Sequence, residues 1–100
     1  MIEKKETDVL KKALLVLHTL NHPGRQKIIS IIRKNENITV NELSKKMKLT
    51  QPKCSLQLTL LRDVGLLIRT KDPMDSRYVY HAVNESKISL VMEIANKLNS

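Results

Sequence analysis

Gln51, Ser55, Thr59 and Arg62 follow one another at steps of four, four and three residues. On a helix of 3.6 residues per turn that spacing sets their polar groups along one side. The chemistry on offer is hydrogen bonding to an edge or an anion. A Gln amide can pair bidentately with an adenine edge, a Ser hydroxyl can bond most bases or a phosphate, and Leu56 beside them can pack on a thymine methyl. Pro52, Lys53 and Gln57 complete the candidate reading surface. Cys54, Leu58 and Leu61 share the buried, apolar face, so these groups point elsewhere. The competing reading is an ordinary solvated helix face, since Gln, Ser and Thr are common on surfaces.

The flanking residues supply the elements that must hold this surface in place. Thr39-Val40-Asn41-Glu42 is a capping box, in which the Thr hydroxyl accepts a backbone N–H three residues on and Glu42 reaches back to the Thr39 amide. A helix from Val40 to Met47 follows, with Val40, Leu43 and Met47 on one stripe and Lys45, Lys46 and Lys48 off it. Lys48-Leu49-Thr50 is a turn. Thr50 caps a second helix, Pro52 fits its first turn, and the helix runs from Gln51 to Val64, where Gly65 closes it. Leu66–Lys71 and Arg77–Ala82 then read as two strands joined by a five-residue tip, Asp72–Ser76. Helix, turn, helix and hairpin together define a winged helix, with Arg69, Lys71 and Arg77 on the wing and Lys45, Lys46 and Lys48 beside the helices as candidate phosphate contacts.

Both ends of the chain predict further helices. Asp8 can cap the first, in which Leu10, Leu14 and Leu17 form a stripe that Val9, Ala13, Val16 and Leu20 widen. Asn84 can cap the last, with Ile88, Val91, Ala95 and Leu98 on one face and Leu90 and Ile94 beside it. These apolar faces are too wide for a chain of 100 residues to cover from within, so they predict an interface between two copies, the alternative being that they pack only on their own domain. Between them, Pro23 opens a helix in which Ile28, Ile29, Ile31 and Ile32 supply core, and Asn35-Glu36-Asn37 links it to the capping box. The expected fold is mainly α with a small β-hairpin (α+β), a single winged helix-turn-helix domain over residues 1–100 in the order α-α-α-α-β-β-α. The segment before the third helix could add a short extra strand.

Composition narrows the partner. Eighteen Lys and Arg against ten Asp and Glu give a net charge of +8 with neutral histidines, which favours a polyanion. No Phe or Trp is present and Tyr78 and Tyr80 are the only aromatics, which argues against a platform for stacking single-stranded bases. No apolar run approaches the length of a membrane span, and Met1–Glu6 is too polar for a secretory signal, so the expected location is cytoplasmic with no membrane partner. The single cysteine fits a reducing compartment.

The ordered set His22-Pro23-x-Arg25, Ile28-Ile29, Thr39-Val40-x-Glu42-Leu43, Leu49-Thr50-Gln51-Pro52, Ser55-x-Gln57-Leu58, Leu60-Leu61-Arg62, Gly65-Leu66 and Arg77-Tyr78-Val79-Tyr80 resembles the ArsR/SmtB family of winged-helix transcriptional repressors, over roughly residues 10 to 98. The resemblance implies a homodimer joined through the first and last helices, bound to a pseudo-palindromic operator. It implies a recognition helix at Gln51–Val64, with Gln51, Ser55 and Gln57 at motif positions. Leu56 departs from the His or Arg common there. Many members sense metal through cysteines early in the helix that here spans Val40 to Met47, and others through Asp, His and Glu on the last helix. The first segment has no cysteine here, and the last helix has only Glu85 and Glu93 and no histidine.

No metal site or cofactor is therefore expected, because soft and borderline metals need such ligands converging on one point. His18 and His22 are four apart, the spacing of a helical metal pair, but Pro23 biases His22 out of helical geometry. His81 reads as a partly buried strand residue. Cys54 reads as a small core side chain, with a redox role left open by its neighbour Lys53. Nothing resembles a phosphate loop, a nucleophile elbow or a carboxylate pair, so no enzyme is expected. The expected function is a sequence-specific regulator of double-stranded DNA, a dimeric repressor of the ArsR type without the usual metal ligands; the sequence names no effector. The alternatives are a winged helix that binds protein through Leu56, and a metal- or redox-responsive repressor with non-standard ligands.

Overall fold

The computed structural model describes residues 4–99, with side chains from 7 to 97. The elements are α1 (Lys4–Leu20), α2 (Pro23–Lys34), α3 (Val40–Met47), α4 (Gln51–Asp63), β1 (Leu67–Lys71), β2 (Val79–Val83) and α5 (Glu85–Asn99). The expected order of five helices and one hairpin is the observed one. The possible extra strand is not formed: residues 35–37 make a bend and a turn, 38–39 are irregular, and the described strands form a two-stranded sheet. Asn37 in that turn takes φ of 56°, which a strand does not allow.

Helix ends show how local chemistry sets the layout. At α3 the Thr39 hydroxyl accepts the Glu42 N–H at 3.2 Å. Glu42 does not reach the Thr39 amide; its carboxylate accepts the Thr39 hydroxyl proton at 2.9 Å instead. Thr50 accepts the Lys53 N–H at 3.4 Å, and Asn84 accepts the Lys87 N–H at 3.2 Å. Asp8 does not cap α1. It lies inside that helix, which extends back to Lys4 because Lys4, Lys5 and Glu6 are good helix formers and nothing among them breaks the run.

Two helices end the same way. At α4 the Gly65 N–H donates to the Arg62 carbonyl at 2.9 Å and the Leu66 N–H to the Leu61 carbonyl at 3.0 Å. This paired closure requires a left-handed residue, which Gly65 supplies at φ 81°. A Cβ there would meet only the Lys87 side chain at 3.7 Å, so backbone conformation and not space selects glycine. At α3 the Lys48 N–H reaches the Lys45 carbonyl and the Leu49 N–H the Ser44 carbonyl, with Lys48 itself at φ 56°.

The core is aliphatic throughout. Ile28, Ile29 and Ile32 of α2, Leu43 of α3, Cys54, Leu58 and Leu61 of α4, and Leu66 and Leu67 at the start of the wing are all buried, with Val16 of α1 and Val91 of α5 closing the cluster. Arg33 clamps the end of α2 to the start of α5 through a two-pronged pair with Glu85 (2.6 and 2.8 Å). The Asn84 amide donates to the Gly65 carbonyl at 3.0 Å, so α5 is seated on the corner where α4 turns into β1. The second helix of the helix-turn-helix, α4, is thus fixed from behind, and its other side is left to solvent.

Candidate nucleic-acid interface

On α4 the expected division of faces is the observed one: Cys54, Leu58 and Leu61 are buried, while Gln51, Pro52, Lys53, Ser55 and Leu56 are exposed. Thr59 and Arg62 are half-buried. Leu56 is 57% exposed although it is a large aliphatic residue. Gln51 does not swing freely, because its amide donates to the Asn41 side chain of α3 at 3.0 Å, which orients the first residue of α4 from the preceding helix.

Gln57 has a different job from the one its motif position implied. Its carbonyl oxygen accepts from Arg25 Nε at 2.9 Å, and Arg25 also donates to the Thr19 carbonyl at 3.2 Å. Gln57 therefore ties α4 to α2 and to the end of α1, and its half-buried amide belongs to the scaffold of the surface. Asn41 and Arg25 were missed as positioning residues. Their partners lie 10 and 32 residues away, a separation that no local pattern reveals, although Arg25 stood in the quoted His-Pro-x-Arg run.

Lys45, Lys46, Lys48 and Lys53 are all exposed around the helix-turn-helix. The wing pairs Leu67 with Val83 through to Lys71 with Val79, antiparallel. Only Leu67 of β1 is buried; Arg69 and Lys71 are exposed. The second strand starts at Val79 and not at Arg77, so the tip spans residues 72–78. Side chains cause this. The Asp72 carboxylate accepts the Met74 N–H at 2.8 Å and the Asp75 N–H at 3.2 Å, and its second oxygen accepts the Tyr80 hydroxyl at 2.9 Å. Asp75 holds the Arg77 guanidinium by a two-pronged contact at 2.7 to 3.1 Å. The turn so built keeps Arg77 and Tyr78 out of the ladder. These bonds hold both carboxyls below their ordinary pKa: Asp72 chiefly through the Met74 N–H, Asp75 chiefly through Arg77.

His81 sits behind the wing with 8% exposure, on β2 opposite Arg69. Its buried Nε2 has no hydrogen-bond partner. Burial, with the Arg62 and Arg69 charges in support, pushes its pKa below the usual value. Burial also raises the Cys54 pKa, which leaves that thiol protonated and disfavours oxidation. His22 is non-helical, as Pro23 dictates, so it cannot make a helical pair with His18. Among the described residues no three His, Cys, Asp or Glu side chains converge as a metal site would require. No described helix is long and apolar enough to cross a membrane.

The expected interface residues fall into two sets. Leu14 is 56% exposed, and Val9, Leu15, Leu90 and Met92 are exposed with it. Leu10, Leu17, Ile88 and Ala95 are half-buried within the protomer. Val91 is only 2% exposed, so it belongs to the protomer's own core and cannot lie open for a second copy. The packing of α5 on α1 accounts for this: Val91 belongs to the same buried cluster as Val16 of α1. The side chain of Leu98 lies outside the described residues.

A hairpin set directly after a helix-turn-helix makes this a winged helix-turn-helix domain. The sequence model of the MarR family matches residues 22–79, and the chain belongs to that family. It is similar to the biofilm growth-associated repressor of Agrobacterium fabrum, 28% identical over 92 residues that cover 92% of this chain and 72% of the relative. In structure it is similar to Mb0332 of Mycobacterium bovis, a homodimeric winged helix-turn-helix DNA-binding domain described as a possible ArsR-family regulator (TM-score 0.76, 15% identity, 98% of this chain and 88% of that one). It is also similar to S. aureus MepR in complex with DNA (TM-score 0.65, 20% identity, 93% of this chain and 77% of that one). At these identities the structural likenesses carry the fold. The family that matches is MarR, whereas the sequence motifs had pointed to ArsR/SmtB.

Proposed function

We propose that this protein is a transcriptional repressor that binds double-stranded DNA as a homodimer, with α4 in the major groove and the wing beside it. The observation that carries the reading is the two-sided build of α4. Its inner face is locked into the core, while Gln51, Ser55 and Leu56 stand exposed at its N-terminal half, where the positive end of the helix dipole favours an anionic partner. Exposed lysines surround the motif and the chain carries +8 overall. Repression is supported by the described role of the Agrobacterium relative, and DNA binding by the MepR complex. The ArsR-like dimer, joined through both terminal helices, is supported by the exposed apolar residues of α1 and α5 and by the homodimeric Mb0332 fold. The protein acts by binding and not by catalysis, and without a metal.

The test is a fluorescence titration of the full chain against a labelled duplex at several salt concentrations. If a dimer neutralises about 6–10 phosphates, affinity falls roughly 10³- to 10⁵-fold between 50 and 200 mM salt. A flat salt response would favour the second reading, in which the exposed Leu56 faces a protein partner.

A further inference from the structure

The wing tip carries an unusual side chain for a surface that meets a polyanion. Met74 is 92% exposed, against 57% for the next most exposed large apolar residues among those described. A single exposed methionine needs no explanation on a mobile loop. This loop is held by the three bonds to Asp72, by the Asp75 to Arg77 pair, and by the Asp72 N–H donating to the Tyr78 carbonyl at 2.9 Å. Both tip carboxylates are thereby engaged in the turn, and Arg77 is occupied by Asp75. Met74 stands almost wholly in solvent at this ordered tip, next to Pro73 and with the exposed cation Lys71 on the adjoining strand.

Resting on the DNA reading above, we propose that the wing tip is an apolar wedge: Met74 enters the minor groove beside the half-site and lodges against a base step. The minor groove is about 6 Å wide, too narrow for a two-stranded ribbon but open to a single side chain. Proteins that enter it use Met, Pro and other apolar groups to part base steps, and pyrimidine–purine steps open most easily. Methionine suits the task because its flexible thioether adapts to an irregular surface. The wing then reads how readily a step deforms, whereas α4 reads base edges. Met74 makes no contribution to the core, so its replacement leaves the fold intact.

The experiment uses a duplex that the wild-type chain enriches from a random pool, with 2-aminopurine placed in turn at each position flanking the α4 half-site. Wild-type binding is expected to raise the fluorescence at one flanking step by unstacking it. Met74→Ala is expected to abolish that signal and bind roughly tenfold to a hundredfold more weakly, the loss of one buried methionine, with an unchanged salt slope. Met74→Leu is expected to restore most of the affinity. Wild-type affinity in Met74→Ala, or no brightening at any flank with the wild-type chain, would overturn the wedge while leaving the DNA reading standing. Failure to enrich any duplex would overturn both.

Discussion

Gln51 and Leu56 are both exposed on neighbouring turns of α4, yet the structure constrains them differently. Asn41 holds the Gln51 amide, so its side chain presents an edge in a set direction, which is what selective pairing with a base requires. Replacing Gln51 with Ala should cost about 1–3 kcal/mol at one base position per half-site and little on unrelated DNA, measured by titration against a panel of single-base variants. An equal loss on all sequences would assign Gln51 to phosphate. His81 makes a second prediction. Its pKa is lowered in the folded protein, so the unfolded chain takes up the proton first. Its contribution to stability is therefore complete above the ordinary histidine value near 6.5 and is lost as pH falls below it. The carboxylates with lowered pKa, Asp72, Asp75 and Glu85, act in the same direction but only at lower pH, near their own ordinary values of about 4. Urea unfolding at pH 7.5 and 5.5 should show a drop in wild type that His81→Leu flattens, because leucine removes both the titration and the unpartnered Nε2. The same drop in both proteins would place the titrating group elsewhere. Neither Asn41 nor the orphaned Nε2 could be read from the sequence, since both depend on which elements meet in space.

At the scale of elements, the helix-turn-helix was legible because its signals are local. Thr39, Thr50, Asn84 and Gly65 each act within three residues of themselves, and all four do what their types predict. The wing was legible as a hairpin but not in its length. The Asp75 carboxylate takes over Arg77, and Tyr78 is held by backbone bonds to Asp72 and Asp75, although alternation alone assigns both residues to the strand. The start of α1 was misplaced because a plausible cap, Asp8, was outweighed by the helix-forming residues before it. Lys48 marks a strain that only the structure reveals, a non-glycine residue held in a left-handed position at φ 56°. Lys48→Gly relieves about 1–2 kcal/mol of left-handed strain against an entropic cost of about 0.5–1 kcal/mol, so thermal unfolding should report a small gain in stability. The same variant loses one exposed cation beside α4, so its DNA affinity should fall. A variant that is both less stable and unchanged in binding would contradict the assigned role of that turn.

For the whole molecule, the proposed dimer rests on the two end helices. The sequence placed Leu14 and Val91 together on a shared surface, but α1 packs on α5 within one protomer and takes Val91 into the core. The two positions now make separable predictions. Leu14→Glu should give a folded monomer, with helical content retained and a halved mass by light scattering, because Leu14 is open to solvent in the protomer. Val91→Glu should unfold the chain, since it buries an unpaired charge. A wild-type mass of a monomer at micromolar concentration would contradict the dimer. The most direct measurement of the central claim is enrichment from a random duplex pool by the full chain, followed by sequencing of the bound fraction. A homodimer reading DNA through two copies of α4 should enrich an inverted repeat, with half-site centres about 10 base pairs apart or a multiple of that. A pool that stays random at low salt, or one that converges on a motif without two-fold symmetry, would contradict the account.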